Sequence, residues 1–305
     1  MIHTLDLGFI GVAGSVAAFL VETPDGELVL VETGPHSTFE HLKRAVAATG
    51  HAITDIRHVL ITHIHLDHAG AAWALAQHGA KIYVHPVGLK HMGNPERLMA
   101  SAQRIYGNDM GRLWGQMHPI PEAQLVPALH EQIFRIGGRT FVAFHTPGHA
   151  IHHVAWMLGE DALFTGDVGG VRIGTGPVQP PCPPPDIDLR EWRRSIKLLR
   201  KLPAERLFLT HFGEVPDKAK HLDQLLAILV DWSEWVALEM RDGQLIEDMI
   251  TAFQRYVEAQ LRAAGADEAM LEQYDAANPA YMNVYGLIRY WNMEHERHLP
   301  GHSDV

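Results

Sequence analysis

The segment 62–70 places three histidines and one aspartate within six positions. Neutral imidazole and carboxylate are ligands that borderline divalent metals prefer. In an extended chain, residues two apart point to the same side, so the first pair can face one ion while the second pair faces another. The spacing predicts two neighbouring metal positions, formed by His63, His65, Asp67 and His68. Because the chain contains 22 histidines in 305 residues, chance clustering is the alternative.

Three further motifs repeat this pattern later in the chain. His149 ends a Thr-Pro-Gly-His motif, Asp167 ends a Thr-Gly-Asp motif, and His211 stands in a Thr-His-Phe-Gly motif. Each motif follows or ends a short hydrophobic run that predicts a strand. In layered α/β folds, the loops at the carboxyl ends of strands converge on one crevice. We therefore expect these three residues to lie close to the first cluster.

The order and residue types of these motifs resemble the metallo-β-lactamase superfamily over about residues 1–216. The resemblance implies an α/β fold, the four-layer αββα sandwich of that family, here with a helical C-terminal appendage. It also implies how the side chains share two metals, with one group on each ion and one residue bridging them. The first group is His63, His65 and His149, the second is Asp67, His68 and His211, and the bridge is Asp167.

Other residues near these motifs have different expected roles. Many members of the superfamily carry Asp-Thr-Gly where this chain has Glu32-Thr33-Gly34, and we expect Glu32 to support a ligand rather than bind a metal. His36 is a candidate for the rim of the pocket. His145 is expected to pack or to hydrogen-bond behind the site, while His152 and His153 are expected to lie on a strand.

The ligand set predicts hydrolysis. A divalent metal lowers the pKa of bound water from about 15.7 to about 7 and stabilises a developing oxyanion. The prediction is a metal-dependent hydrolase, similar to glyoxalase II and to lactonases, that uses a metal-bound hydroxide in a binuclear site to cleave a small ester, thioester or lactone. Asp67 is the expected catalytic residue, because it can orient the nucleophile or carry a proton. The expected cofactors are two divalent ions, first Zn²⁺, with Mn²⁺ or Fe²⁺ as alternatives.

Three alternatives remain open at this point. An iron-dependent dioxygenase similar to persulfide dioxygenases shares much of the motif with fewer ligands. Diiron flavoproteins place a glutamate where this chain has His65, which disfavours them. A nuclease shares the ligand pattern, but an acidic chain repels polyanions. A binding module without catalysis is disfavoured because seven buried ligand groups are costly unless a metal occupies them.

Strands and helices alternate around these motifs. Pro24-Asp25-Gly26 predicts a hairpin turn. Asp188 is expected to be the N-cap of a helix, with Glu191 completing a capping box. The long loop 169–185 is expected to place Val171, Arg172 and Ile173 beside the site. The insertion 86–121 is expected to be helical, with Met92, Met99, Tyr106, Trp114 and Met117 in its core or lining a pocket. The remaining predicted strands are 16–21, 27–31, 58–61, 81–85 and several within 125–167, and the predicted helices are 38–48, 70–78 and one from 188.

The last part of the chain predicts helices only. We expect a catalytic domain over residues 1–216 and an α-helical region over 217–305, with helices at 217–238, 244–264 and 279–298. Aromatic residues of the last helix are expected in a helix-bundle core, with contacts to substrate or to another subunit as the alternative. These residues are Tyr281, Tyr285, Tyr290 and Trp291.

Composition limits the partners. The net charge is −11, and from Asp217 onward the chain has 16 acidic against 7 basic residues, which argues against a nucleic-acid partner. No run reaches the roughly 18 apolar residues that a membrane span needs, and the N-terminus lacks a signal-peptide pattern. Cys182 is the only cysteine, which suits a reducing compartment. The expected location is the cytoplasm and the expected partner a small-molecule substrate; a homodimer remains open.

Overall fold

A computed structural model describes residues 1–215 and 217–297. The predicted domain boundary at residue 216 and the predicted end of the last helix at residue 298 lie outside the described residues. Two six-stranded sheets form the centre of the molecule. The strands of the first sheet, in spatial order, are β1 Ile2–Asp6, β2 Ala17–Glu22, β3 Leu28–Val31, β4 Ile56–Leu60, β5 Lys81–Val84 and β6 Leu125–Pro127.

The second sheet contains the remaining described strands. They are β7 Gln132–Ile136, β8 Arg139–His145, β9 Val154–Leu158, β10 Ala162–Phe164, β11 Arg206–Leu209 and β12 Gly213–Val215. In the first sheet β3, β4, β5 and β6 run parallel; in the second, β10 pairs parallel with β11 and the other pairs are antiparallel. As a result, β4, β8, β10 and β11 each end close to a predicted ligand.

Helices cover the outer faces of both sheets. Those of the first half are α1 Phe39–Ala48, α2 Leu66–Ala69, α3 Ala72–Gln77, α4 Pro86–Gly93, α5 Glu96–Tyr106 and α6 Met110–Leu113. Those of the second half are α7 Leu189–Lys201, α8 Lys218–Arg241, α9 Ile246–Ala263, α10 Glu268–Ala277 and α11 Ala280–Arg297. None of the helices in the described ranges is long and apolar enough to cross a membrane.

The side chains of one strand show how the layers arise. Successive residues of a strand point to opposite faces. Phe19 of β2 therefore packs between the sheets, against Phe164 and Phe208 of the second sheet, whereas Leu20 joins the outer core with Leu42 of α1. The second sheet has an equivalent outer core under α7. The αββα sandwich predicted from the motifs is confirmed.

The C-terminal helices are packed firmly onto the second sheet. Leu207 of β11, Trp192 of α7, Leu225 of α8 and Leu287 of α11 belong to one buried hydrophobic cluster. The helical region therefore completes the outer layer of the sandwich.

Some predicted elements differ from the structure. The C-terminal region contains four described helices instead of three, because Asp267 caps the additional helix α10 by accepting a hydrogen bond from the N–H of Met270. Asp188 caps α7 as predicted, but Glu191 does not complete the capping box; its carboxylate pairs with Arg194. The helix predicted over 70–78 begins earlier, at Leu66, and is split into α2 and α3.

Candidate metal centre

The seven predicted ligands lie together at one edge of the sandwich. Main-chain hydrogen bonds join the two sheets there: the N–H of Ala17 donates to the carbonyl of Thr210 over 2.8 Å, and the N–H of Val154 donates to the carbonyl of Thr62 over 2.7 Å. Both carbonyls belong to threonines that directly precede a ligand-type histidine. The joint between the sheets thus holds His63 and His211 in place.

At two positions of the motifs, the backbone conformation and the close neighbours leave room only for glycine. Gly166, directly before Asp167, has a φ of +48°, and a Cβ atom there would lie 2.5 Å from the Thr62 hydroxyl oxygen. Gly148, directly before His149, has a φ of +134°, and its Cβ would lie 2.3 Å from the Cα of Trp192. Only glycine accepts such a conformation with such close neighbours.

The first group of side chains consists of His63, His65, His149 and Asp167. The Nδ1 atom of His65 lies 2.9 Å from Nε2 of His63 and 3.0 Å from Nε2 of His149. The Oδ2 atom of Asp167 lies 3.3 Å from Nε2 of His149 and 3.9 Å from Nε2 of His63. Four potential ligand atoms therefore surround one point.

The second group consists of Asp67, His68 and His211. Nε2 of His68 lies 3.6 Å and Nε2 of His211 lies 3.4 Å from Oδ2 of Asp67. The other carboxylate oxygen of Asp167, Oδ1, lies 3.1 Å from Nε2 of His68 and 3.5 Å from Nε2 of His211. Asp167 thus presents one oxygen to each group.

The donor set fits divalent metals. Ligands about 2.0–2.2 Å from a tetrahedral ion lie about 3.4 Å from one another, close to the spacing found in both groups. Nε2 of His68 and Oδ1 of Asp167 are buried and have no hydrogen-bond partner within the described residues. Buried polar atoms normally have partners, and a cation between these two atoms would satisfy both. The structure therefore contains two adjacent groupings that could hold metal ions.

The second ring nitrogen of four histidines is held from behind. Nδ1–H donates to the Thr62 hydroxyl from His63 (3.1 Å), to the Pro181 carbonyl from His149 (2.8 Å), to the Ser15 carbonyl from His211 (2.8 Å) and to the Glu32 carboxylate from His68 (2.9 Å). In each case Nε2 faces the centre. Such outer hydrogen bonds fix the tautomer and the ring orientation of metal-binding histidines.

Glu32 accepts several of the hydrogen bonds that support the ligand-type residues from behind. Its carboxylate is fully buried and accepts hydrogen bonds from the hydroxyls of Thr62 (2.5 Å) and Thr210 (3.2 Å) besides the ring of His68. Its backbone has a φ of +66°, which is unusual for a residue other than glycine. Sequence reasoning missed Thr62 and Thr210. The signal that could have found them is the Thr-His pair that occurs in both motifs.

Burial and nearby charges shift the pKa values of the ligand-type histidines in opposite directions. Burial lowers the pKa of His63 far below its usual range and that of His65 to about 3. Burial also opposes the charged form of His68, but the carboxylates of Asp167 and Asp67 outweigh it and raise the pKa of His68 well above 6.5. Without metal, the cluster therefore holds a proton on His68. A bound cation would replace it, so metal binding should release protons.

The other histidines lie outside the two groups. The Nε2–H of His145 donates to the Ala128 carbonyl over 2.8 Å, and its ring packs against that of His85. His153 contacts the Thr146 hydroxyl over 2.8 Å behind the site. His152 lines the cavity in front of the site. His36, a candidate for the rim, instead packs against Trp73 with ring centroids 4.8 Å apart.

A cavity of about 790 Å³ opens in front of the cluster. Asp67 and Asp167 contribute to its floor, and the insertion contributes Tyr106 and Trp114. Of the three methionines singled out in the sequence, Met92 and Met117 are buried in the core instead, and Met99 packs against it partly buried. The loop 169–185 reaches the cavity through its proline-rich end at 181–185. Val171, Arg172 and Ile173 were expected beside the site. Val171 and Ile173 are buried in the core shared with the C-terminal helices, whereas the N–H of Arg172 donates to the carbonyl of His211 over 2.6 Å.

Comparison with known proteins agrees with this architecture. A family model described as the metallo-beta-lactamase superfamily matches residues 11–211. The metallo-beta-lactamase fold-containing protein ST1585 of Sulfurisphaera tokodaii is 29% identical over 226 residues, which are 70% of this chain and 84% of that protein. An atrochrysone carboxyl ACP thioesterase of Aspergillus fumigatus is 29% identical over 178 residues, 58% of this chain but only 44% of that protein.

Solved structures show the same fold. The crystal structure of ST1585 superposes with a TM-score of 0.68 at 21% identity, covering 94% of this chain and 98% of that chain. The metallo-beta-lactamase family protein TTHA1429 of Thermus thermophilus gives a TM-score of 0.70 at 21% identity, covering 96% of this chain and 94% of that chain. At this identity the likeness concerns the fold alone. The family match, together with the motifs and the sandwich, shows that the chain belongs to the metallo-β-lactamase superfamily.

Proposed function

We propose that the protein is a metal-dependent hydrolase that cleaves a small ester, thioester or lactone. The observation that carries this proposal is the placement of the Asp167 carboxylate, whose two oxygens face two separate groups of ligand atoms. Hydrolytic chemistry is widespread in the superfamily to which the chain belongs. No serine or cysteine nucleophile is required.

Each residue of the centre has a defined role in the proposal. His63, His65 and His149 would hold one ion, Asp67, His68 and His211 the other, and Asp167 both. When bound, divalent ions supply Lewis acidity and bring the pKa of a coordinated water to about 7. The outer hydrogen bonds that the imidazoles donate to Glu32 and to the three other acceptors keep the rings oriented for this purpose.

Asp67 is the proposed catalytic residue. Its side chain keeps 22% of its surface exposed, against 6% for Asp167 and at most 2% for His68 and His211. It therefore reaches the cavity where a substrate would lie. A carboxylate there can orient the attacking water and pass a proton to the leaving group.

A carbonyl substrate is favoured by two observations. The relative from Aspergillus fumigatus is named as a thioesterase, and a thioester carbonyl is an electrophile of the kind that this centre can activate. The cavity is bounded by the insertion, the proline-rich loop and the C-terminal helices, so it can enclose an organic substrate. We propose two zinc ions as the physiological cofactors, since all seven groups are zinc ligand types.

The test is a substrate panel on metal-quantified protein. Protein purified without added metal is analysed for zinc, manganese and iron, and is assayed with a lactone, a thioester and a phosphodiester. Two divalent ions per chain with thioester or lactone turnover support the proposal. One iron per chain with oxygen consumption, or cleavage of RNA, would replace it by the dioxygenase or the nuclease alternative.

A further inference from the structure

The cavity in front of the metal centre has a largely apolar wall. Leu98, Trp114, Ile151 and Met282 line it, and its volume of about 790 Å³ lies within the range of about 300–1,000 Å³ that small-molecule sites occupy. Apolar walls of this kind take the hydrocarbon part of a ligand, because burial of each methylene group contributes about 0.8 kcal/mol. The wall thus fits a substrate with an apolar chain.

The cavity continues outward along α11. A second cavity, also about 790 Å³ in volume, shares Ile105, Pro184, Tyr281 and Met282 with the first one. Beyond them it is lined by Tyr285 and other residues of the exposed face of α11. The two cavities therefore adjoin at these four residues, and together we treat them as one groove that extends from the metal centre along α11.

Two cations on the insertion line the inner cavity without partners. Lys90 of α4 and Arg97 of α5 both contribute to its wall, and neither forms an ion pair or a side-chain hydrogen bond within residues 1–215 and 217–297. Arg112, on the same wall, is different because its Nε atom lies 3.1 Å from Oδ1 of Asp109.

Both cations lie near His91, which also belongs to the cavity wall. His91 lies between them in sequence, and burial lowers its pKa first, followed by the charges of Lys90 and Arg97. The imidazole is therefore neutral at pH 7 and leaves both cations available. Acidic groups also line this cavity: Asp67 and Asp167 belong to the metal-ligand groups, Asp109 pairs with Arg112, and the remaining two are Asp186 and Asp275. Burial raises the pKa of each of these last two, and neither is paired with Lys90 or Arg97 in the described chain.

We propose that Lys90 and Arg97 bind an anionic group, a carboxylate or a phosphate, of an amphiphilic substrate. The apolar chain of that substrate lies in the groove, and its scissile carbonyl lies at the metal centre. This inference rests on the proposed function, because it takes the groove as the site of the hydrolysed molecule. It adds a charge requirement that the metal ligands alone do not impose.

Binding of uncleavable analogues tests the inference. The probes are the S-decyl thioether of mercaptopropionate, the S-decyl thioether of mercaptoethyl phosphate and the neutral amide of the first. Calorimetry on metal-loaded wild-type protein should show about tenfold tighter binding of at least one anionic probe than of the amide, in line with hydrogen bonds to charged groups. The two anionic arms distinguish carboxylate from phosphate.

Matched variants show where the anion binds. In Lys90→Gln/Arg97→Gln, binding of the anionic probe should fall about tenfold to the level of the amide, whose own affinity changes less than about twofold. Lys197→Gln removes an exposed cation on α7, outside both cavities, and should retain the preference. Circular dichroism and metal content verify that each variant is folded and loaded.

Two outcomes would overturn the inference. Equal binding of the anionic and neutral probes by the wild type removes the charge requirement, and would leave a thioester carried by an acidic protein as the occupant to test. A preference that survives the double substitution places the anion elsewhere, at the metals or at another cation of the groove such as Arg104 or Arg289. Turnover is measured separately with the cleavable thioester. A charge preference without turnover of any substrate in the panel contradicts the proposed function but not the anion site.

Discussion

The backbone N–H of Cys182 donates a 2.6 Å hydrogen bond to Oδ1 of Asn283, which is fully buried on α11. The preceding residue, Pro181, uses its carbonyl to accept the Nδ1–H of His149. The last helix therefore holds the loop segment that orients a ligand-type histidine of the centre. This connection explains how a helical region whose described residues belong to neither ligand group bears on the site.

Removing the Asn283 side chain should weaken the metal centre. Asn283→Ala leaves the buried N–H of Cys182 without an acceptor, which costs about 1–3 kcal/mol of unfolding free energy. The Pro181 carbonyl then loses its fixed position, and we expect metal affinity to fall about tenfold, as for loss of other outer hydrogen-bond partners. Urea unfolding and a competition assay with a zinc chelator measure the two effects.

Asn292→Ala is the control, because Asn292 lies exposed on the same helix. It should change neither quantity. If Asn283→Ala lowered the stability but left the metal affinity unchanged, α11 would not contribute to the orientation of His149.

Asp167 should be indispensable for metal retention. Asp167→Ala removes the only carboxylate that faces both groups among the described residues. We expect both metal content and hydrolytic activity to fall by at least about 100-fold, beyond the 10–100-fold typical of an outer partner. Elemental analysis after gel filtration and the thioester assay provide the readouts. Asp186→Ala, in the same cavity but outside both groups, should retain its metal; activity of Asp167→Ala near that of the wild type would refute the assignment.

Glu32 should tune metal affinity without binding metal. Glu32→Gln keeps the shape of the side chain but removes the charge that supports the Nδ1–H of His68. The imidazole becomes a weaker donor to a cation, so we expect a 10–100-fold loss of zinc affinity with the fold retained. Thr210→Val removes one of the hydrogen bonds to Glu32 and should have a smaller effect in the same direction. Zinc affinity of Glu32→Gln equal to that of the wild type would assign Glu32 to structure alone.

The sequence predicts the ligands better than it predicts their surroundings. His63 to His68, His149, Asp167 and His211 lie in short motifs because each group follows directly on a strand, so local order places them at one edge. The strands and α1 follow from periodicity in the same way.

The support behind the ligands depends on contacts between distant parts of the chain. Packing of α11 on the loop 169–185 brings the Asn283 amide close to the loop segment that holds the Pro181 carbonyl. The same packing places Tyr281 and Met282 of α11 in the cavity wall. No local pattern indicates such a contact. Helix α10 was missed because only Tyr274 and Ala277 of its residues are buried, which leaves little periodicity.

Acid should destabilise the fold partly through His221 of α8. This residue is fully buried, and its Nε2–H donates to the Gly169 carbonyl over 2.7 Å. Burial lowers its pKa from 6.5 to about 4, and the charge of Arg172 adds to this. Between these two pKa values the unfolded chain binds a proton that the folded chain does not, so stability falls as pH decreases from about 6.5 to about 4. The contribution reaches at most about 3 kcal/mol.

The substitution His221→Gln isolates this contribution from that of the other buried histidines. Glutamine retains an N–H donor for Gly169 but does not titrate. Urea unfolding at pH 7 and pH 4.5, each with the same chelator so that metal release does not differ, should show a smaller loss of stability for the variant than for the wild type, by about 2 kcal/mol. His295→Gln, at an exposed position of α11, should behave as the wild type. An identical pH dependence in His221→Gln would show that the buried imidazole is not among the groups that set the acid limit of the fold.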